Sequence, residues 1–143
     1  MELRVPESVR KYAAERHGQD GELWAERAVT GLLEFAAERG VSGLSALSGG
    51  SRSLVVSGGL DGSRVVIKSS PDRDEVCARE ALTHWARSGL APQVLGSCGP
   101  HSMIEFVDGE DLSGCDDLVA VTAELAHLVA SAHAEAAIAV NRR

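Results

Sequence analysis

The sequence predicts an α+β fold in which five antiparallel strands carry a packed helix, with two helices before the sheet and one after it. Two patterns in the 143 residues support this prediction. Short β-branched runs lie between glycine-rich turns in the middle of the chain, as in antiparallel strands. Apolar residues at steps of three and four lie before, between and after these runs, as in amphipathic helices. Because such a sheet cannot leave its apolar face bare, we expect the helix after the third strand to cover part of it.

The first segment, residues 1–43, is predicted to form two helices. Pro6 can start the first helix and Gly18 can end it, whereas Asp20 and Gly40 bound the second. The apolar stripe of the second helix consists of Trp24, Ala28, Leu32, Phe35 and Ala36. We interpret both helices as packing elements, because neither has a pattern typical of a catalytic site.

The second segment, residues 44–109, is predicted to form the sheet. Its strands are expected at 44–47, 53–57, 64–69, 91–95 and 103–107. A glycine-rich turn at 58–62 joins the second and third strands, and a helix over about 71–88 separates the third strand from the fourth. The third segment, residues 110–143, is predicted to contain the last helix.

The composition and the sequence patterns limit the kinds of partner and the cellular compartment that are expected for this chain. A net charge of −7 without a basic block argues against a nucleic-acid or anionic-membrane surface and suits a cationic small molecule. The apolar stretch 118–140 is interrupted by charged residues and histidines, so it predicts an amphipathic helix and not a membrane span. No signal-peptide pattern opens the chain, and no histidine spacing predicts a metal site. Reduced thiols in a cytoplasmic protein are expected for the three cysteines, which lack CxxC spacing: Cys77, Cys98 and Cys115.

The strand that ends in Lys68 has the clearest chemical content. Phosphoryl-transfer enzymes place a lysine on a rigid strand to orient the α- and β-phosphates, and a carboxylate on the next helix holds that lysine. Glu80 lies in the predicted helix after Lys68 and can serve as this carboxylate, although Asp74 and Glu75 compete with it. The alternative is an ordinary solvated lysine at a strand end and an ordinary acid on a helix surface.

The turn before the second strand is a candidate phosphate loop. Backbone amides can approach phosphate oxygens closely where glycines remove the side chains. The four residues concerned are Ser48, Gly49, Gly50 and Ser51. Their spacing matches neither GxGxxG nor a Walker A motif, so a plain hairpin turn is the alternative.

Taken in order, these segments resemble the N-terminal part of the aminoglycoside phosphotransferase family, in particular its streptomycin 6-kinases and hydroxyurea kinases. The resemblance extends over about residues 5–135. It rests mainly on Val5-Pro6-Glu7, Gly21-Glu22-Leu23-Trp24, Val65-Val66-Ile67-Lys68, Ala78-Arg79-Glu80-Ala81-Leu82, Ala91-Pro92-Gln93-Val94-Leu95 and Ile104-Glu105-Phe106-Val107-Asp108-Gly109.

The resemblance implies a protein-kinase-like N-terminal lobe that binds ATP and belongs to an antibiotic-resistance phosphotransferase. Lys68 would orient the phosphates and Glu80 would hold Lys68. Ile104 would match the gatekeeper of the adenine pocket, and the main chain of Glu105 and Val107 would meet adenine. A cationic small molecule would be the substrate of the complete enzyme.

The chain departs from this family in its C-terminal half. The family's catalytic Asp, a downstream Asn and a metal-binding Asp lie in a second lobe, and the Asn follows the catalytic Asp by five positions. Here Asn141 is the single Asn, Ala136 stands five positions before it, and no Asp follows Asp117. We therefore expect no catalytic and no metal-binding residue in this chain, and Mg²⁺ only where a C-terminal lobe supplies its ligands.

Phosphoryl transfer by this chain alone is accordingly expected to be negligible, because the reaction depends on positioning and charge neutralisation. The alternative is a stand-alone, non-catalytic binding or protein-interaction module. Such a module would cover the apolar surface of the lobe by forming a homodimer or by binding another protein. A shortened piece of a longer enzyme, whose missing C-terminal lobe would be its partner, is also compatible with the sequence.

Overall fold

The computed structural model describes residues 2–48, 50–109 and 117–141, and its architecture is α+β with an antiparallel sheet, as predicted. The helices are α1 (Glu7–His17), α2 (Gln19–Glu38), α3 (Arg73–Cys77), α4 (Arg79–Arg87) and α5 (Leu118–Asn141). The strands are β1 (Ser42–Ala46), β2 (Leu54–Leu60), β3 (Ser63–Ser69), β4 (Val94–Cys98) and β5 (His101–Glu105). The predicted order of elements is confirmed, except that the helix expected over 71–88 is interrupted at Ala78.

The five strands lie in the order β1-β2-β3-β5-β4, and every neighbouring pair is antiparallel. The strand that carries Lys68, β3, is therefore the central strand and is hydrogen-bonded on both sides. Because both neighbours hold its backbone, a side chain on β3 has a well-defined position and direction.

Two hairpins differ from the sequence prediction. The prediction of a turn over 58–62 is wrong, because β2 continues to Leu60 and the turn consists of Asp61 and Gly62 alone. Their φ angles of 50° and 82° match a two-residue type I′ turn, whose twist fits the flanking strands. The last two strands begin at Val94 and His101, displaced from the predicted ranges, because the two-residue turn that joins them is Gly99-Pro100.

Helix α2 covers one face of the sheet and builds the core with it. The sheet contributes Leu54, Val56, Val65, Ile67 and Met103, and α2 contributes Ala28, Leu32, Phe35 and Ala36. The predicted stripe of α2 is thus confirmed. In addition, the Trp24 indole Nε1–H donates to Ser69 Oγ over 3.2 Å, which joins α2 to the end of β3.

Helix α1 lies against α2 at a very short distance between their backbones. A Cβ atom on Gly21 would lie 1.9 Å from the carbonyl oxygen of Ala13. Only glycine permits this approach, and Val9 and Ala13 are buried on the same side of α1. The polar residues Tyr12, Arg16 and His17 lie on α1 beside this buried side and are described below with the candidate site.

The chain divides into two compact units. The first comprises residues up to 78 and residues 94–106, so it contains α1, α2, α3 and the whole sheet. The second comprises residues 79–93 and the chain from 107 onward, where the Trp85 Nε1–H donates to the carbonyl of Ala132 over 3.0 Å and joins α4 to α5. None of the helices in the described parts of the chain has the length and apolar character needed to cross a membrane.

Candidate functional site

Lys68 lies on the face of the sheet opposite α2. Alternate residues of β3 are buried against the core, namely Val65, Ile67 and Ser69, with 0–2% of their surface exposed. Since successive side chains of a strand point to opposite faces, Val66 and Lys68 share the other face. The Nζ atom of Lys68 is therefore directed away from the core, into the space bounded by α3 and α1.

The carboxylate that contacts Lys68 belongs to Glu75 of α3. Lys68 Nζ pairs with Glu75 Oε1, and about a third of each side chain is exposed. The hydroxyl of Ser70 donates to Glu75 Oε2 over 2.5 Å, and the hydroxyl of Ser53 donates to the same oxygen over 3.2 Å. Four groups from neighbouring ends of β2 and β3 and from α3 thus hold one another in a fixed arrangement.

These contacts lower the pKa of Glu75. Burial acts to raise the pKa of this carboxyl, but the ammonium of Lys68 and the hydroxyls of Ser70 and Ser53 outweigh that effect, so the pKa lies below its ordinary value. Glu75 is therefore ionised at neutral pH, and it neutralises Lys68 while leaving the other donors of the ammonium group available to a ligand.

Asp72 connects α1 to the loop after β3. The Tyr12 hydroxyl donates to Asp72 Oδ2 over 2.8 Å, and His17 Nε2 lies 2.6 Å from Oδ1. The backbone N–H of Asp72 donates to Ser70 Oγ over 3.1 Å. Because the Ser70 hydroxyl itself donates to Glu75, a continuous chain of hydrogen bonds runs from α1 to the Lys68 ion pair.

The same contacts set the pKa values at this junction. Burial acts to raise the pKa of Asp72, but the hydrogen bonds from His17 and Tyr12 outweigh it, and the pKa of Asp72 is lowered. The hydrogen bond that Tyr12 donates to Asp72 raises the pKa of the Tyr12 phenol, because losing the proton would place two negative charges together. Both groups are thereby kept in the protonation states that join α1 to the sheet.

The two lowered pKa values predict a loss of stability in acid. A carboxyl whose pKa is lower in the folded chain stabilises the fold above its ordinary pKa, and this stabilisation is lost as the pH falls through the folded value. The ordinary values are 3.8 for Asp72 and 4.5 for Glu75. We expect the free energy of unfolding, measured with urea at a series of pH values, to decline below about pH 4.5.

The variants Asp72→Asn and Glu75→Gln should each be less stable at pH 7 and should show a flatter decline in acid. Glu26→Gln removes an exposed carboxylate of α2 and serves as the matched control. A decline of the same steepness in all three variants and in the natural chain would contradict the assignment.

Around these groups lies a polar cleft of about 530 Å³. It is bounded by α1, by the loop before β2, by the end of β3 and by α3. Its lining residues are Tyr12, Arg16, His17, Arg52, Lys68, Asp72, Arg73, Asp74 and Glu75. Four cationic side chains and three carboxylates therefore face one cavity. In the part of the chain that is described, no group of three or more His, Cys, Asp or Glu side chains is arranged to hold a metal ion.

The predicted site residues are distributed as follows. Lys68 lines the cleft. Ile104 of β5 is half-buried and pairs with Val66 of β3, so it lies on the same sheet face as Lys68. Glu105 ends β5 and is exposed, and Val107 belongs to the second unit with 64% of its surface exposed.

The structure describes three of the four residues of the predicted phosphate loop, and it places the predicted partner of Lys68 in the second unit. Ser48, Gly50 and Ser51 are exposed outside the strands, whereas Gly49 lies outside the described residues. Glu80 lies in α4 of the second unit, and its role stays a prediction. Of the two competing acids, Glu75 is the one that pairs with Lys68.

Several residues of the cleft were not predicted from the sequence. Tyr12, Arg16 and His17 belong to a helix interpreted as a packing element, and Asp72 lies near the start of the helix predicted over 71–88 without a role of its own. One signal was available: Tyr12 and Arg16 are four residues apart on α1, which places two polar groups together beside the buried Val9 and Ala13.

Searches against models of known protein families and against curated proteins found no match to this chain. The function of the cleft is therefore inferred from the arrangement of its charged groups.

Proposed function

We propose that this chain is the ATP-binding lobe of a phosphotransferase that acts on a hydroxyl of a small molecule. The observation that carries the proposal is Lys68, which is fixed on the central strand and paired with a carboxylate on the helix that follows. The pair supports the proposal because kinase-type lobes use a strand lysine and a helix carboxylate to orient the α- and β-phosphates. When bound, ATP would supply the phosphoryl group for transfer.

The cleft fits the phosphate part of a nucleotide. Its volume of about 530 Å³ falls in the range of small-molecule sites. Lys68 would contact the phosphates, and Glu75 would keep the ammonium group aimed into the cleft. In this proposal Glu75 takes the role that the family resemblance gives to Glu80, and it does so by a contact within the first unit.

The sheet face beside Lys68 fits the base of the nucleotide. Val55 of β2 lies on this face because it pairs with Lys68. Val66 lies two positions before Lys68 on β3, and Ile104 of β5 pairs with Val66, so both also lie on this face. These branched aliphatic side chains are half-buried and offer an apolar surface suited to a flat aromatic ring. The main chain of Glu105, the last residue of β5, remains our candidate for a hydrogen bond to the adenine edge, and the role of Val107 stays a prediction.

The acceptor substrate is proposed to be a cationic small molecule such as an aminoglycoside. The net charge of −7 favours a cation over an anionic acceptor. In the family that the sequence resembles, acceptor binding, the catalytic base and the Mg²⁺ ligands belong to a C-terminal lobe, and the proposal keeps that assignment. An antibiotic-resistance role follows only from the family resemblance.

The chain contains two lysines, Lys11 and Lys68, which permits a direct test. An ATP analogue with an acylating phosphate group should modify Lys68 in preference to the exposed Lys11, as read by mass spectrometry of the digested protein. Excess ATP should suppress the labelling of Lys68 alone. Equal labelling of the two lysines, with or without ATP, would contradict the proposed site.

Calorimetry of metal-free ATP provides the quantitative form of this test. Lys68→Ala should weaken binding about tenfold to a hundredfold, since a hydrogen-bonded charge contributes about 1.5–3 kcal/mol. Lys11→Ala should leave the affinity unchanged, because Lys11 does not line the cleft and pairs with Glu15 of the same helix. A natural chain that binds no ATP, or binding that Lys68→Ala leaves intact, would disprove the proposed function.

A further inference from the structure

Three guanidinium groups in the cleft are not explained by the ion pairs of the fold. Arg16 comes from α1, Arg52 from the loop before β2 and Arg73 from the first residue of α3. Among the described residues, none of the three forms an ion pair with a carboxylate. All three side chains are exposed, so a ligand can reach them.

The nearby carboxylates are already occupied by other partners. Both oxygens of Asp72 are used, one by Tyr12 and one by His17. Glu75 is held by Lys68, Ser70 and Ser53. Of the acids that line the cleft, only Asp74 has no such set of contacts. The cleft is therefore locally cationic, although the chain as a whole carries a net charge of −7.

Arg52 is also oriented in advance of any ligand. Its guanidinium carbon lies 5.5 Å from the centre of the Tyr12 ring, at the outer limit of a cation–π contact. Tyr12 is in turn held by Asp72. A side chain that is partly ordered before binding loses less conformational entropy when it meets a ligand.

We propose that Arg16, Arg52 and Arg73 form a binding site for the terminal phosphates of a nucleoside triphosphate, or for inorganic pyrophosphate. Guanidinium groups match pairs of phosphate oxygens with two parallel N–H donors, and this geometry is stronger than a single point charge. The site extends the Lys68 contact toward α1, so α1 takes part in ligand binding as well as in packing. The nucleotide form of this inference rests on the proposed function, whereas the pyrophosphate form does not.

Calorimetry in the presence of a chelator tests the site with three ligands: ATP, pyrophosphate and adenosine. The test variant is Arg16→Gln with Arg52→Gln, which removes two charges and keeps a shorter polar side chain at each position. The control is Arg10→Gln, an exposed arginine of α1 that does not line the cleft. Circular dichroism verifies that each variant is folded.

The double variant should weaken the binding of ATP and of pyrophosphate about tenfold or more, while Arg10→Gln leaves both unchanged. Asp74→Asn should strengthen both, because it removes the carboxylate that repels the ligand. The affinity of the natural chain should fall as salt is added, since exposed charges are screened. Adenosine binding should be the same in all variants.

The outcomes separate this inference from the proposed function. If Lys68→Ala weakens ATP binding but the double arginine variant does not, the arginine site is disproved and the nucleotide lobe stands. The opposite result has two parts: the natural chain binds pyrophosphate and the double variant does not, and Lys68→Ala leaves the affinity for ATP unchanged. In that case the arginine site stands and the nucleotide lobe is disproved. Pyrophosphate binding that is equal in the double variant and the natural chain overturns the inference.

Discussion

Replacing Leu32 with alanine is expected to lower the free energy of unfolding of the first unit by about 2–5 kcal/mol. Leu32 is fully buried, with 0% of its surface exposed, and it lies where α2 packs on the sheet. Truncation removes apolar contacts and leaves a cavity between a helix and strands that are held by their own hydrogen bonds, so the site can collapse only in part. A domain of this size is stable by about 5–15 kcal/mol, so the expected loss is a large fraction of its stability.

Leu33→Ala is the matched control for this prediction. Leu33 is the next residue of α2, carries the same side chain and is 44% exposed. Urea unfolding followed by Trp24 fluorescence in a Trp85→Phe background reports on the first unit alone, because Trp85 belongs to the second. An equal loss of stability in the two leucine variants would contradict the described packing of α2.

Replacing Gly21 with alanine is expected to separate α1 from α2. The added Cβ would lie 1.9 Å from the carbonyl oxygen and 2.4 Å from the carbonyl carbon of Ala13, and backbone atoms cannot give way as a flexible side chain can. Alanine favours a helix over glycine by about 1 kcal/mol, but overpacking typically costs about 1–3 kcal/mol and more where backbones collide. We therefore expect a net loss of stability, measured as a lower midpoint of urea unfolding.

A second effect of Gly21→Ala distinguishes this explanation from a general loss of stability. Tyr12, Arg16 and His17 should move with α1, so hydrogen exchange of the α1 amides should accelerate and pyrophosphate binding should weaken. Glu22→Ala, at the adjacent exposed position, should change stability by less than about 0.5 kcal/mol. A Gly21→Ala variant that is more stable than the natural chain would show that helix propensity outweighs the contact with Ala13.

The sheet and the position of Lys68 at the end of its third strand could be predicted from the sequence because both depend on local patterns. The β-branched run before Lys68 favours a strand, and alternation along that strand separates the buried Ile67 from Lys68. The stripe of α2 has a helical period, which is why its buried face could be named residue by residue. The exact strand ends were missed where two-residue turns, such as Gly99-Pro100, decide them.

The walls of the cleft could not be predicted, because they depend on contacts between distant parts of the chain. Tyr12 and Asp72 are separated by 60 positions, and neither residue belongs to a motif. The pairing of Lys68 with Glu75 depends on a helix, α3, that ends after five residues at Cys77, and no apolar period in the sequence encodes that end. Ser53 and Ser70 are small polar residues at strand ends, a common type of residue that acquires significance only through Glu75.

The strand order has a consequence for how a new chain reaches this fold. The backbone groups on one edge of β3 can form hydrogen bonds with β2, which is synthesised before it. Those on the other edge require β5, which is synthesised only after the whole segment 70–100. During synthesis the apolar run Val65-Val66-Ile67 therefore presents an open edge, to which strands of other chains can add. Charges that flank such a run oppose this addition, and Arg64 and Lys68 stand at its two ends. The charge of Lys68 is therefore placed where it opposes such strand addition whether or not a ligand is bound.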